Sequence, residues 1–164
     1  MSRSYEISTD RRRLNIELIH GFLRESYWAA NIPMAVVKRS IKHSLCFGAY
    51  WKGQQVAFAR VITDRATFAY MADVFVVPEQ RGHGLGKKLV RTILAHPELQ
   101  GLRRVLLATR DAHGLYSQFG FKPLAEQAHF MTLHFPDVYV MKKTRGRIRP
   151  GDARQNSSGS PPGA

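Results

Sequence analysis

The chain has 164 residues, 44% hydrophobic and 23% charged, with a formal charge of +13. That length suits one domain with a sizeable core and argues against two, and no apolar run approaches the roughly 20 residues needed to span a bilayer. A single cysteine, Cys46, cannot close an intramolecular disulfide and the first residues lack the apolar run of a secretory signal, so the expected location is the reducing cytoplasm, with no membrane contact.

In chain order, residues 5–8 read as a short strand, and Asp10 can cap a helix through about residue 24 that turns Leu14, Leu18, Ile19, Phe22 and Leu23 inward. Pro33, at a first-turn position, opens a second helix through about residue 43, with Val36, Val37 and Ile41 as its apolar side. Residues 45–50 and 56–63 flank Trp51-Lys52-Gly53-Gln54, a hairpin-like connection, and residues 67–77 are a third β-rich run, which makes an antiparallel meander. A glycine-rich turn follows, after which Leu85, Leu89, Val90 and Ile93 recur at helical spacing until His96-Pro97 ends the pattern. A strand over 105–109 comes next, then a short helix over 111–119 stopped by Gly120. β-like segments at 121–124, 130–133 and 138–141 close the series. The fold class this order describes is α/β (α+β): a mixed, mainly antiparallel central sheet with helices on both faces. One domain is expected over 1–143. Residues 144–164 are a basic, Gly/Ser/Pro-rich tail with Ile148 as their one large apolar side chain, too little to offset the entropy of ordering.

The most informative segment runs from Val74 to Gly86: a β-branched strand ends at Pro78 and enters Arg81-Gly82-His83-Gly84-Leu85-Gly86, which opens a basic helix. A helix start after glycines presents unpaired backbone N–H groups and a partial positive charge, a natural cradle for phosphate oxygens. The spacing G-x-G-x-G departs from the dinucleotide fingerprint G-x-G-x-x-G. It also departs from the P-loop, because Gly82 and Gly86 stand three residues apart where four are required, and Lys88 stands where Ser or Thr would bind magnesium.

Arg81 to Gly86 matches the R-x-x-G-x-G motif of the GNAT acyl-CoA N-acyltransferases. Leu115-Tyr116-Ser117-Gln118-Phe119-Gly120-Phe121 resembles that family's second signature, Tyr-x-x-x-Gly-Phe, with one helix and one strand between the two motifs. The likeness extends over about residues 3 to 140 in element order. It implies an N-acetyltransferase that moves an acetyl group from acetyl-CoA, its cosubstrate, directly to a primary amine of a small metabolite, an amino acid or a protein, without a metal. It further implies that Phe75, Val76 and Val77 supply strand contacts to the pantetheine arm at a bulged splay. Arg81, Gly82, His83, Gly84, Leu85, Gly86 and Lys87 would surround the diphosphate.

By the same resemblance Tyr116 is the general acid toward the departing thiolate, competing with a plain role as a core aromatic. Asp73, the one carboxylate inside an apolar strand, is the first choice of base. A reference aspartate near 3.9 facing an amine near 10.4 is mismatched by roughly 9 kcal/mol, and pairing with Arg60 is the structural alternative. Asp111 and His113 rank below it. Tyr27, Trp28 and Tyr70 are expected to line the acceptor pocket, although aromatics there also serve as packing groups. Cys46 reads as a small buried hydrophobe. With no acidic cluster in the first two helices, a basic chain favours a neutral or anionic acceptor over a polycation. A homodimer is compatible with the sequence. A non-catalytic acyl-CoA-binding module, or a nucleic-acid or ribosome-associated one drawing on the basic tail, is the rival reading.

Overall fold

A computed structural model describes residues 3–125 and 127–140. The chain separates into two compact units, Met1–Pro123 and Leu124–Ala164. The expected tail over 144–164 lies outside the described residues.

The first unit is built on one sheet ordered β1 (Glu6–Ser8), β2 (Leu45–Trp51), β3 (Gln54–Thr63), β4 (Phe68–Val76), β5 (Arg104–Leu107). The first four strands pair antiparallel and β5 joins β4 in parallel. The hairpin between β2 and β3 turns on Lys52 and Gly53, both at positive φ, the geometry that matches strand twist in two-residue connections. Helices α1 (Ile16–Glu25) and α2 (Met34–Lys42) precede the meander, α3 (Leu85–Leu94) follows it, and the short α4 (His113–Tyr116) follows β5.

Side chains alternate across the strands, so the sheet has two apolar faces. Phe47, Ala49, Ala57, Ala59, Val61, Ala69 and Met71 form one buried cluster with Leu85, Leu89, Val90 and Ile93 of α3. On the opposite face Phe75 stacks on Phe22 of α1, ring centroids 3.9 Å apart, and Cys46 bonds through its thiol to the Ile41 carbonyl of α2. Burial pushes the Cys46 thiol up to about 11, which keeps it protonated and inert as its small-hydrophobe reading requires.

One irregularity governs the site. Phe58 faces Phe75 and Arg60 faces Ala72, so three steps on β4 oppose two on β3, and Asp73 sits at φ 54° inside the bulge. The extra residue inverts the alternation. Met71 points to the α3 cluster, whereas Phe75 points to α1.

Three expectations are corrected. Asp10 caps a single 3-10 turn, Arg11–Arg13, by accepting the Arg12 N–H, and α1 starts only after Asn15, which caps it by accepting from Leu18. Strand β5 ends at Leu107, which leaves Ala108 and Thr109 free of the ladder. Residues 121–124 and 130–133 are not strands. Phe121 donates its N–H to the Tyr116 carbonyl at the end of the α4 region. Phe130, Val138 and Val140 donate to residues three positions earlier, so turns take up these three donors. Of the segment 138–141, residues 138–140 are a turn and Met141 lies outside the described residues.

Candidate active site

Beyond the pairing of Met71 with Leu107, β4 and β5 no longer share hydrogen bonds, because β5 stops while β4 continues through the bulge. The wedge between them is a cavity of about 310 Å³. Tyr27, Trp28, Tyr70, Asp73 and Tyr116, drawn from three separate parts of the sequence, all line it.

Asp73 is fixed from two sides. Arg60 Nε donates to its Oδ2 at 2.7 Å and Trp28 Nε1 to its Oδ1 at 3.2 Å. The ion pair weighed against a role as base is therefore present. It is well shielded, with the side chains of Arg60 and Asp73 only 15% and 9% exposed, and removing one partner would strand the other charge at a cost of about 3–5 kcal/mol. Arg60 also donates to the Ser44 hydroxyl.

Tyr116 is buried on α4, and its hydroxyl has no hydrogen bond among the described residues. Burial, with Tyr27 as a lesser cause, pushes its pKa up to about 12. Tyr27 is anchored at the mouth by accepting the Arg110 N–H at 3.2 Å, and the Arg110 guanidinium lies 3.9 Å over its ring. Trp28 meets Tyr27 edge-on at 5.0 Å. Asp111 lines the cavity and His113 does not. The lining thus carries two carboxylates against one guanidinium. The acidity missing from the first two helices comes from β4 and the loop before α4.

The glycine turn lies at the end of the same strand. Gly82 and Gly84 take φ of 75° and 77°, and α3 starts at Leu85 with no side-chain cap. Lys88 is the first residue to close a helical bond, to the Gly84 carbonyl, so the N–H groups of Leu85, Gly86 and Lys87 have no helical partner. A Cβ at Gly82 or Gly84 would meet no heavy atom within 4 Å, and one at Gly86 only Leu115 at 3.7 Å. These glycines leave an open, donor-rich surface flanked by the exposed side chains of Arg81, His83 and Lys87.

The strand residues before the turn divide by direction. Val77 donates its N–H to Val56 on β3, and Phe75 sits in the same phase opposite Phe58. Val76 points the other way, its carbonyl accepting Arg81 Nε at 3.0 Å. Alternation places Val74 with Val76. Of the three residues expected to offer backbone contacts, Val76 alone turns its backbone groups away from β3, and Val74 shares that phase.

A mixed five-stranded sheet, splayed between its parallel pair and followed by an uncapped glycine turn, defines an acyl-CoA N-acyltransferase fold. Residues 13–121 match the Acetyltransferase (GNAT) family, and the chain belongs to that family as an N-acetyltransferase enzyme. It is similar to a GNAT-family acetyltransferase from Xanthomonas campestris pv. campestris, 51% identical, with a TM-score of 0.83 over 86% of this chain and all of that one. A Gibberella zeae protein described as an acetyltransferase is 32% identical over 74% of this chain and 81% of its own length. At 15% identity and a TM-score of 0.58, a Clostridium acetobutylicum acetyltransferase solved with acetyl-CoA shares the fold over 80% of this chain and 95% of its own.

Proposed function

We propose that this enzyme transfers the acetyl group of acetyl-CoA to a primary amine held in the cavity between β4 and β5. The observation that carries the reading is the continuity of one strand. β4 borders the cavity at Asp73, turns Val76 to its free edge, and ends two turns before the donor-rich start of α3. In this reading Arg81 to Lys87 hold the diphosphate through backbone N–H groups and positive charge. Val76 and Val74 pair with the pantetheine arm, while Phe75 and Val77 secure the strand to β3 and α1. When bound, acetyl-CoA supplies the activated thioester.

Tyr116 donates a hydrogen bond to the departing sulfur. With its pKa near 12 it is protonated at every physiological pH. Against a thiol near 8.5, complete transfer would be uphill by roughly 5 kcal/mol, so the hydrogen bond is its contribution. Asp73, with both oxygens already engaged, orients Trp28 and favours the approach of an ammonium, which gives one proton to water at the cavity mouth before its nitrogen attacks the thioester carbonyl and a second as the C–S bond breaks and the amide forms. Tyr27, Trp28 and Tyr70 surround the acceptor.

The test is acetyl-CoA consumption across amine classes with the wild type and Tyr116→Phe. The wild type turns over at least one class, and the variant binds acetyl-CoA normally but loses about 10²-fold in kcat. Equal turnover by the two proteins removes the role of Tyr116. A wild type that binds no acetyl-CoA removes the reading itself.

A further inference from the structure

The glycine turn is short of internal restraints. Its glycines pack against little, its helix has no side-chain cap, and it protrudes into solvent. Yet the residues at its two borders are both tied to one distant segment, the three residues that lead into β1.

At the near border Gln80 is only 6% exposed, unusual for an amide in a connecting turn. Its Oε1 accepts from Arg3 Nη1 at 2.6 Å and from the Tyr5 hydroxyl at 2.9 Å. Because a guanidinium can only donate, the amide oxygen must face Arg3, which fixes the orientation of the side chain. Arg3 also donates to the Glu79 carbonyl and lies 5.0 Å over the Trp51 ring. At the far border Lys88 Nζ donates to the Tyr5 carbonyl. Tyr5 itself is 5% exposed and belongs to the α3-side core. Residues 3–5 thus grip the turn immediately before Arg81 and immediately after Lys87. The grip also takes Lys88 away from the anion surface although it stands beside Lys87.

We propose that Arg3, Tyr5, Gln80 and Lys88 form a brace that pre-organises the diphosphate turn, with Gln80 as the positioning residue through which the N-terminal segment sets acetyl-CoA affinity. The inference rests on the acetyl-CoA reading of the turn. A preformed cradle spares the ligand the cost of ordering it, so loosening the brace weakens binding without touching Tyr116 or the cavity.

Three variants test it: Gln80→Leu, which removes the acceptor, Gln80→Glu, which keeps it, and Tyr5→Phe, which keeps the ring but loses one donor. Gln80→Leu raises the KM for acetyl-CoA about 10-fold and Tyr5→Phe about 3-fold, each with kcat at saturation within about twofold of wild type. Gln80→Glu stays near the wild-type KM. The brace is overturned if Gln80→Leu and Tyr5→Phe leave KM unchanged, if kcat falls in proportion, or if glutamate does no better than leucine. Calorimetry of wild type with acetyl-CoA separates the two failures. No binding sinks the acetyl-CoA reading and the brace with it, whereas normal binding with indifferent variants sinks the brace alone.

Discussion

The turn between β3 and β4 and the turn between β4 and α3 are both short, exposed and polar, yet they treat their backbone donors in opposite ways. In the first, Asp64 Oδ1 accepts the N–H groups of Ala66, Thr67 and Phe68 at 2.9 to 3.0 Å, and Oδ2 accepts the Thr67 hydroxyl at 2.6 Å. Thr63 accepts from Arg65 through its hydroxyl, so every donor from Arg65 to Phe68 has a partner. In the second, no side chain answers the first N–H groups of α3. Both turns use a left-handed residue, Arg65 in one and Gly82 and Gly84 in the other, so conformation does not separate them. Satisfaction of the donors does. A turn that closes on itself holds strands together, and a turn that leaves donors outward-facing is available to an anion.

Making the second turn like the first should have the largest effect. Gly84→Asp places a carboxylate where the helix start awaits an acceptor, at a position whose φ aspartate tolerates better than most residues. The KM for acetyl-CoA rises about 30-fold or more, since the variant both fills the N–H groups and repels the diphosphate, while the melting temperature changes by about 3 °C at most. An unchanged KM would show that those N–H groups do not bind the cosubstrate.

Opening the first turn is the converse. Asp64→Ala leaves four donors to water and lowers the melting temperature by about 5 °C, with no change in acetyl-CoA KM. A shift in KM would break the division between holding and binding turns.

The smallest effect is a pH dependence. The Thr67 hydroxyl first, then the backbone N–H groups of Thr67, Ala66 and Phe68, hold the Asp64 carboxyl well below its ordinary value of 3.8. A lowered pKa means that the folded state favours the ionised form, so the benefit is complete above the unfolded value and fades as pH falls through the folded one. The gap in melting temperature between wild type and Asp64→Ala therefore stays constant from pH 7 to about pH 4 and narrows below that. A gap that widens in acid contradicts the assignment.

What was legible in the sequence was local. Glycines at positive φ, the helical recurrence of Leu85, Leu89, Val90 and Ile93, and the hairpin at Lys52-Gly53 all depend on neighbours within a few residues. The start of α1 was not legible, because Asp10 and Asn15 are both competent caps and only the folded chain shows that the first closes a separate turn. The bulge was expected from the family resemblance alone, since one added residue does not alter the β-rich character of residues 68–76, and its position at Asp73 was not legible. Without it, Phe75, Val76 and Val77 look equivalent as backbone ligands. The pairing of Tyr27 with Arg110, 83 positions apart, and of Trp28 with Asp73 belongs to tertiary contact alone. Residues 130–133 show the opposite error, in which β-like composition meets a backbone that joins no ladder and whose Phe130 N–H closes a turn on Gln127.

The bulge at Asp73 works on β4 as a change of reading frame works on a message. Before it, Ala69 and Met71 are addressed to α3 on one parity, and after it Val74 and Val76 on the other. Deleting that single residue would leave the composition of the strand almost untouched while sending Phe75 away from Phe22 and swapping Val76 with its neighbours. Substitutions along this strand can be graded by size and polarity, but its length admits no such gradation.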